Sequence, residues 1–258
     1  MHISDTPRSF PRVQVGKVPF DVAEPNEAIR AIVQSADEHT PLPVRLSNAF
    51  CVALASQDAD YEKLLQGPGL NFADGAPVVA AMRFHSDLTK KPSRVRGPSL
   101  FRLSLESTED TGLRHFFLGT TEETLSKLVA KIEEDYPKLK IAGTYSPPFG
   151  PLDENFYSEC MARIESTSPD IVWVALGTPK QDFAAARLSE LSSCPCVGVG
   201  AAFDFVAGTV TEAPEWIQNS YLEWLYRLFS EPKRLWRRYL FGNVQFIRSV
   251  FKEGRNRG

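Results

Sequence analysis

Residues 170–182 read DIVWVALGTPKQD. The apolar run in DIVWVAL (170–176) stops at Gly177, and Pro179 stands near the start of a helix-compatible segment. A strand buried on both faces has this continuous rather than alternating pattern. Working outward, the same unit recurs. PVRLSN (43–48), GLNFAD (69–74), HFFLG (115–119), LKIAGTY (139–145) and PCVGVG (195–200) read as further strands. Between them, helical spacing predicts helices over 26–38, 49–65, 76–84, 98–107, 121–135, 153–167 and 179–192. RVQVGKVPFDV (12–22) predicts a short hairpin around Gly16. Apolar runs bounded by turns and separated by helices imply a mostly parallel sheet covered on both faces. The fold class is α/β, Rossmann-like.

The chain has 258 residues, 43% hydrophobic and 24% charged, in the range of an ordinary globular protein. Cys51, Cys160, Cys194 and Cys196 form no CxxC pair and no zinc-like spacing, so free thiols in a reducing compartment are expected. The four histidines are not clustered, which argues against a transition-metal site; His85 and His115 read as surface or strand residues. MHISDTPRSFPRVQ lacks the apolar segment of a secretory signal, and no run approaches the ~20 residues of a membrane span.

Charge is unevenly placed. From Arg227 onward there are nine basic and two acidic residues, a net +7, against −10 for the rest and −3 overall. A basic tail on an acidic body suits an anionic partner. In the stretch after Pro214, Trp224, Leu225, Leu228 and Phe229 are followed by Leu235, Trp236, Tyr239, Leu240 and Phe241, interleaved with arginine. Two or three helices broken at Pro232 and Gly242 are expected, as a basic aromatic carboxyl-terminal appendage. Such helices suit an anionic membrane surface while being too charged to span it. Packing of the aromatics on the main body reads the composition equally well.

In open α/β sheets, ligands bind beyond the carboxyl ends of the strands. Asp74-Gly75 lies there, directly before a helix, as an N-cap or as a general base on a site-facing loop. Gly177-Thr178-Pro179 opens another helix, where backbone N–H groups could meet a phosphate, with Lys180 and Gln181 in reach of the same anion. There is no GxGxxG and no P-loop, so hydride transfer and ATP hydrolysis lack their usual signatures. Asp58-Ala59-Asp60, the one DxD match, falls inside the helix predicted over 49–65, where two carboxylates two apart diverge. GVGAAFDFVAG (198–208) sets Asp204 between two phenylalanines; a carboxylate in such company is either paired or aimed at a ligand.

These motifs fall in a distinctive order: SNAF (47–50), FADGAPVV (72–79), RVRGPSLF (94–101), GTPKQD, GVGAAFDFVAG, and APEWIQNSYLEWLYRLFSEPKRLWRRY (213–239). With them the chain resembles the WecG/TagA/CpsF glycosyltransferases of bacterial cell-surface polysaccharide synthesis, over roughly residues 12–245. The resemblance implies an inverting, metal-independent transferase without cofactor. It would move N-acetylmannosamine, its uronic acid or a hexose such as glucose from a UDP-sugar to an undecaprenyl-diphosphate-linked acceptor. Asp74 matches the family's proposed general base. Asn48, Arg94 and Gln181 match substrate-binding positions, and Asp204 is placed in the nucleotide-sugar pocket. Arg227, Arg234 and Arg237 match appendage arginines thought to close over the diphosphate. Leu46 stands where the family often has threonine, and Asp182 where glutamate is usual. The implied organisation is a flexible leader (1–11), an α/β glycosyltransferase core (12–212) and a membrane-associating appendage (213–258). The implied place is the inner face of the cell membrane, with no nucleic-acid partner; a homo-oligomer is compatible. A non-catalytic nucleotide-sugar-binding scaffold and a transferase with a soluble acceptor are the alternatives.

Overall fold

Each apolar run becomes a strand, and each amphipathic segment a helix. The computed structural model describes residues 10–85, 88–218, 220, 223–230, 236 and 242–250. The chain opens with an antiparallel hairpin, β1 (Arg12–Val15) and β2 (Val18–Asp21), turning at Gly16 with φ +57°. Next come α1 (Pro25–Asp37), β3 (Leu42–Ser47), α2 (Ala49–Ala55), α3 (Ala59–Gln66), β4 (Leu70–Ala73), α4 (Ala76–Phe84) and α5 (Gly97–Thr108). They are followed by β5 (Arg114–Gly119), α6 (Glu122–Asp135), β6 (Lys140–Tyr145), α7 (Glu154–Thr167), β7 (Ile171–Ala175) and α8 (Lys180–Ser192). The chain continues through β8 (Pro195–Gly198), α9 (Ala202–Val206), α10 (Glu215–Gln218), α11 (Glu223–Ser230) and a further helix, α12, over 242–250.

The main sheet has the order β4-β3-β8-β7-β5-β6, and the pairs β3/β8, β8/β7, β7/β5 and β5/β6 are parallel. Two compact units divide the described chain. One comprises the described parts of Met1–Ala23, Ser47–Arg94 and Glu212–Gly258, the other Glu24–Leu46 and Val95–Thr211.

In the second unit the strands sort their side chains with period two. Phe116, Leu118, Val172, Val174 and Cys196 share one apolar cluster with Phe156, Cys160 and Ile164 of α7 and Leu188 of α8. The alternate residues Phe117 and Trp173 meet Phe101 of α5 instead, with ring centroids 5.9 and 5.1 Å away. Phe203 of α9 closes this group, 5.3 Å from Phe101 and 5.7 Å from Phe117. A strand covered on both faces has no polar side, which is why DIVWVAL has no alternation. The four cysteines are free and buried.

In the first unit the hairpin is tied down by polar groups. Arg12 Nε donates to Asp21 Oδ1 at 2.7 Å, and Asp21 Oδ2 accepts the Asn71 N–H of β4 at 2.8 Å. Asn71 Nδ2 reaches the Pro19 carbonyl at 2.9 Å. Every charge buried here has a partner, as burial requires.

One expected element is corrected. The helix over 49–65 is two helices, α2 and α3, because Asp58 caps the second: its Oδ1 accepts from the N–H groups of Asp60 and Tyr61, each at 3.0 Å. A carboxylate that satisfies first-turn N–H groups favours a new helix start over continuation. Asp58 is therefore a cap, and its pairing with Asp60 is to a backbone N–H.

His115 is fully buried beside Trp173, and its protonation state follows from its neighbours. Trp173 Nε1–H donates to His115 Nδ1 at 3.0 Å; His115 Nε2 lies 3.0 Å from Thr108 Oγ1, whose hydroxyl donates to the Ser104 carbonyl at 2.6 Å. The threonine oxygen must then accept from the imidazole, so the ring is neutral with its proton on Nε2. A second proton would face the indole N–H. Burial accordingly pushes this histidine from 6.5 down to about 4.

The unfolded chain therefore binds this proton before the folded chain does. The stabilising contribution is complete above about pH 6.5 and is lost as pH falls toward 4, amounting to roughly 3 kcal/mol. Urea unfolding at pH 7 and pH 4 should show wild type losing about that much more stability across the interval than His115→Gln. Equal losses in the two proteins would contradict the assignment.

Candidate active site

The first unit gathers three of the expected site residues around the exits of β3 and β4. The Ser47 carbonyl, last of β3, accepts the Asp74 N–H at 3.0 Å, and Ser47 Oγ donates to Asn71 Oδ1 at 2.5 Å. Two segments thus leave the sheet side by side, one beginning with Asn48 and the other with Asp74. Asn48 caps α2: its Oδ1 accepts the Phe50 N–H at 3.0 Å. That bond fixes the orientation of the amide, so Nδ2 and its two donors point away from the helix. A Cβ on Gly75 would lie 3.4 Å from Asn48 Cβ, so the two segments run at van der Waals distance here.

Asp74 is half-buried and is not the cap of α4. That position belongs to Gly75, with no side-chain hydrogen bond. The capping explanation of the Asp-Gly pair therefore falls away.

Arg94 is held by this same unit. Its Nε donates to the Asp74 carbonyl at 2.7 Å, its Nη1 to the Gln218 carbonyl at 2.7 Å, and its Nη2 pairs with Glu223 Oε2 at 2.5 Å. One guanidinium joins the loop after β4, the end of α10 and the start of α11. Arg227 lies in α11, but its side chain, like Arg234 and Arg237, is outside the described residues.

Gln181 and Asp204 belong to the second unit. Gln181, in the first turn of α8, is 2% exposed, and its Oε1 accepts the Gly200 N–H at 3.1 Å. A Cβ on Gly198 would come within 3.2 Å of Gln181 Nε2 and 3.4 Å of Asp182 Oδ1. Gly198 is thus a glycine where Gln181 and the buried Asp182 press against the backbone, whereas at Gly200 the positive φ is what favours one. The backbone groups of the Gly-Thr-Pro turn bond within it: Gln181 N–H to Gly177 O at 2.8 Å, and Asp182 N–H to Pro179 O at 3.0 Å. Lys180 donates to the Gly150 carbonyl and lies 5.4 Å from the Phe149 ring centroid.

Asp204 lies beyond the end of β8. β8 ends at Gly198, Gly200 takes φ +60°, and Asp204 rides on α9, half-buried. Its carbonyl accepts the Thr209 N–H at 3.0 Å, and Thr209 Oγ1 approaches its Oδ1 at 3.4 Å. Leu46 is 6% exposed, and a Cβ on Gly97 would meet its Cδ1 at 3.4 Å, so it serves the core.

Ser47, Asn71 and Glu223 were not singled out in the sequence. Ser47 and Asn71 did leave a signal, as polar residues inside otherwise apolar strands (LPVRLS, LNFA). Glu223 left none beyond being acidic ahead of a basic tail.

Residues 13–258 match the profile of the Glycosyl transferase WecG/TagA/CpsF family. The chain belongs to this family. It is 33% identical over 204 residues to an N-acetylglucosaminyldiphosphoundecaprenol N-acetyl-beta-D-mannosaminyltransferase of Bacillus spizizenii, covering 78% of this chain and 75% of the relative. The enzyme of the same description from Bacillus subtilis is 32% identical over 204 residues, covering 79% and 76%. This WecG/TagA/CpsF protein is accordingly a glycosyltransferase. Among its described residues, no group of three or more His, Cys, Asp and Glu side chains could hold a metal ion.

Asn48 offers a direct test, because its cap and its donors can be separated. Asn48→Asp keeps the acceptor for Phe50 but removes the amide donors. It should keep the melting temperature and lose transfer, whereas Asn48→Ala should also lose about 1 kcal/mol of stability. Transfer by Asn48→Asp at the wild-type rate would show that only the cap matters.

Proposed function

We propose that this glycosyltransferase moves N-acetylmannosamine from its UDP derivative to an N-acetylglucosaminyl-diphosphoundecaprenol acceptor, inverting the anomeric centre. The observation that carries this reading is that one backbone bond, Asp74 N–H to Ser47 O, sets Asp74 and the capping Asn48 at adjoining strand exits, in a chain similar over most of its length to two N-acetylmannosaminyltransferases. Asp74 takes the proton of the acceptor hydroxyl as it attacks the anomeric carbon, and the C–O bond to the diphosphate breaks on the opposite side. A half-buried carboxylate at a strand exit, one residue before the cap of α4, is a residue type suited to this role. The Asn48 amide orients a sugar or acceptor oxygen beside it. Gln181 and Asp204 contribute to the nucleotide-sugar site.

The departing UDP needs positive charge, and we assign that to Arg227, Arg234 and Arg237 rather than to a metal ion. Bidentate guanidinium–phosphate pairing supplies it without a coordination sphere. The same basic segment brings the enzyme to an anionic membrane surface on the inner face, where a polyprenyl-linked acceptor would lie. Supporting this, Trp216, Phe229, Trp236, Val244 and Ile247 of the carboxyl-terminal region are between 44% and 77% exposed. No helix among the described residues is long and apolar enough to cross a membrane, so the contact proposed is peripheral.

A panel of UDP-sugars with a short-chain polyprenyl-diphosphate-N-acetylglucosamine acceptor tests the donor, and the product's anomeric configuration tests inversion. Transfer is expected from UDP-N-acetylmannosamine, at a rate unchanged by EDTA. Rates that collapse with EDTA and recover with Mg²⁺ or Mn²⁺ would overturn the metal-independent part. Asp74→Asn should lower kcat by about 10²–10⁴-fold with its melting temperature kept, and wild-type kcat would remove Asp74 as base. Deletion from Glu223 onward should weaken flotation with anionic liposomes, and wild-type binding should fall steeply with salt. Salt-independent binding would refute the electrostatic part.

A further inference from the structure

Arg94 is read from the family as a substrate-binding residue, yet three of its five N–H groups are directed at the protein's own chain. The acceptors are far apart in sequence, the Asp74 carbonyl 20 residues away, the Gln218 carbonyl 124 and the Glu223 carboxylate 129. The side chains of Arg94 and Glu223 are 23% and 13% exposed, so the pair is largely shielded from water. A charge-assisted bond in such a setting exceeds an exposed surface pair in strength.

Its placement is electrostatically favourable on each side. The guanidinium meets a carbonyl at the end of α10, where helix carbonyls lack partners. Glu223 sits in the first turn of α11, where a carboxylate is favoured by the helix dipole. The third bond reaches the main chain of Asp74 itself. With its N–H held by Ser47 and its carbonyl by Arg94, the backbone of Asp74 is fixed on both sides. One of those two restraints depends on where the carboxyl-terminal segment places Glu223.

We propose that Glu223 is a positioning residue: through Arg94 it ties the α10–α11 segment to the Asp74 backbone, so that the aim of the Asp74 carboxylate depends on that segment being in place. The inference rests on Asp74 being the base, but the mechanical link is independent of that role. Glu223 need not touch substrate. Loss of its carboxylate frees one guanidinium nitrogen and loosens both segments that Arg94 joins. A displacement of about 1 Å at a reacting group is enough to lower a rate by up to ~10²-fold.

Hydrogen exchange read by mass spectrometry, together with steady-state kinetics, tests the link in the full-length enzyme. In Glu223→Gln, exchange should rise in peptides covering 213–230 and 72–80 and stay at the wild-type level over 171–175. kcat should fall by about 10- to 100-fold, with KM for the UDP-sugar changed far less. Arg94→Ala should produce the same pattern, and the double variant should add nothing to Arg94→Ala, because both substitutions remove one coupling. Glu223→Asp, which keeps the charge but shortens the arm, should show a weaker form of the same effect.

Exchange rising over 213–230 alone, rising everywhere including 171–175, or adding independently in the double variant would each overturn the proposal. A wild-type enzyme that transfers no sugar would defeat the functional reading, while the exchange pattern would still decide the link.

Discussion

Parallel pairing through β7 is the constraint on which the rest of the second unit depends. A parallel strand cannot be reached by a two-residue turn; the chain must cross back over the sheet first, and a helix is the usual route. β5, β7 and β8 are each preceded by one. Because helices then cover both faces, the strands keep no polar side, and the burial of Phe117, Trp173 and Phe203 on one face is matched by that of Phe116, Val174 and Leu188 on the other. His115 is a buried polar exception inside this core, and both of its ring nitrogens have partners. His115 is tolerated because an indole donor, a hydroxyl acceptor and a carbonyl behind it satisfy the neutral ring.

In the first unit a different bond sets the candidate residues at strand exits. A single backbone bond, Asp74 N–H to Ser47 O, aligns the departures from β3 and β4. Two candidate residues of that unit then lie within one residue of it, with Asn48 on one side and Asp74 on the other. Buried hydrogen bonds reinforce the alignment from below, through Ser47, Asn71 and Asp21 to Arg12. A half-satisfied network of this kind would be destabilising; a complete one specifies a single register.

Strand and helix order were legible in the sequence because burial on two faces leaves continuous apolar runs, and those runs hold whatever their neighbours do. The break at Asp58 was not, since an aspartate within helix-compatible residues can cap or continue, and only geometry distinguishes the two. Asp74, Asn48 and Arg94 could be singled out by motif order, but their arrangement could not be seen. Whether Asp74 or Gly75 caps α4 turns on one residue of backbone, below what spacing resolves. The element that carries Asp204 was not legible either. On the short helix α9 three successive side chains point to different sides, so Phe203 enters the core while Asp204 and Phe205 are half-buried.

Glu223 was the least legible of all, and the reason is general. A motif records which residues a chain carries, but an ion pair across 129 residues is written in two places that give no sign of each other. The local context even pointed elsewhere, because Glu223 precedes a tail of net positive charge in which a lone acid reads as solvated. What selects it is a third party. Arg94 must hold a main-chain carbonyl beside the proposed base, and a guanidinium that is largely buried needs a counter-ion close by. The end of α10 supplies a carbonyl and the start of α11 a carboxylate, so two helix ends that would each leave polar groups exposed are completed by one side chain. The amphipathic carboxyl-terminal segment is in this way connected to the chemistry by its acidic residue, quite apart from what its basic residues bind.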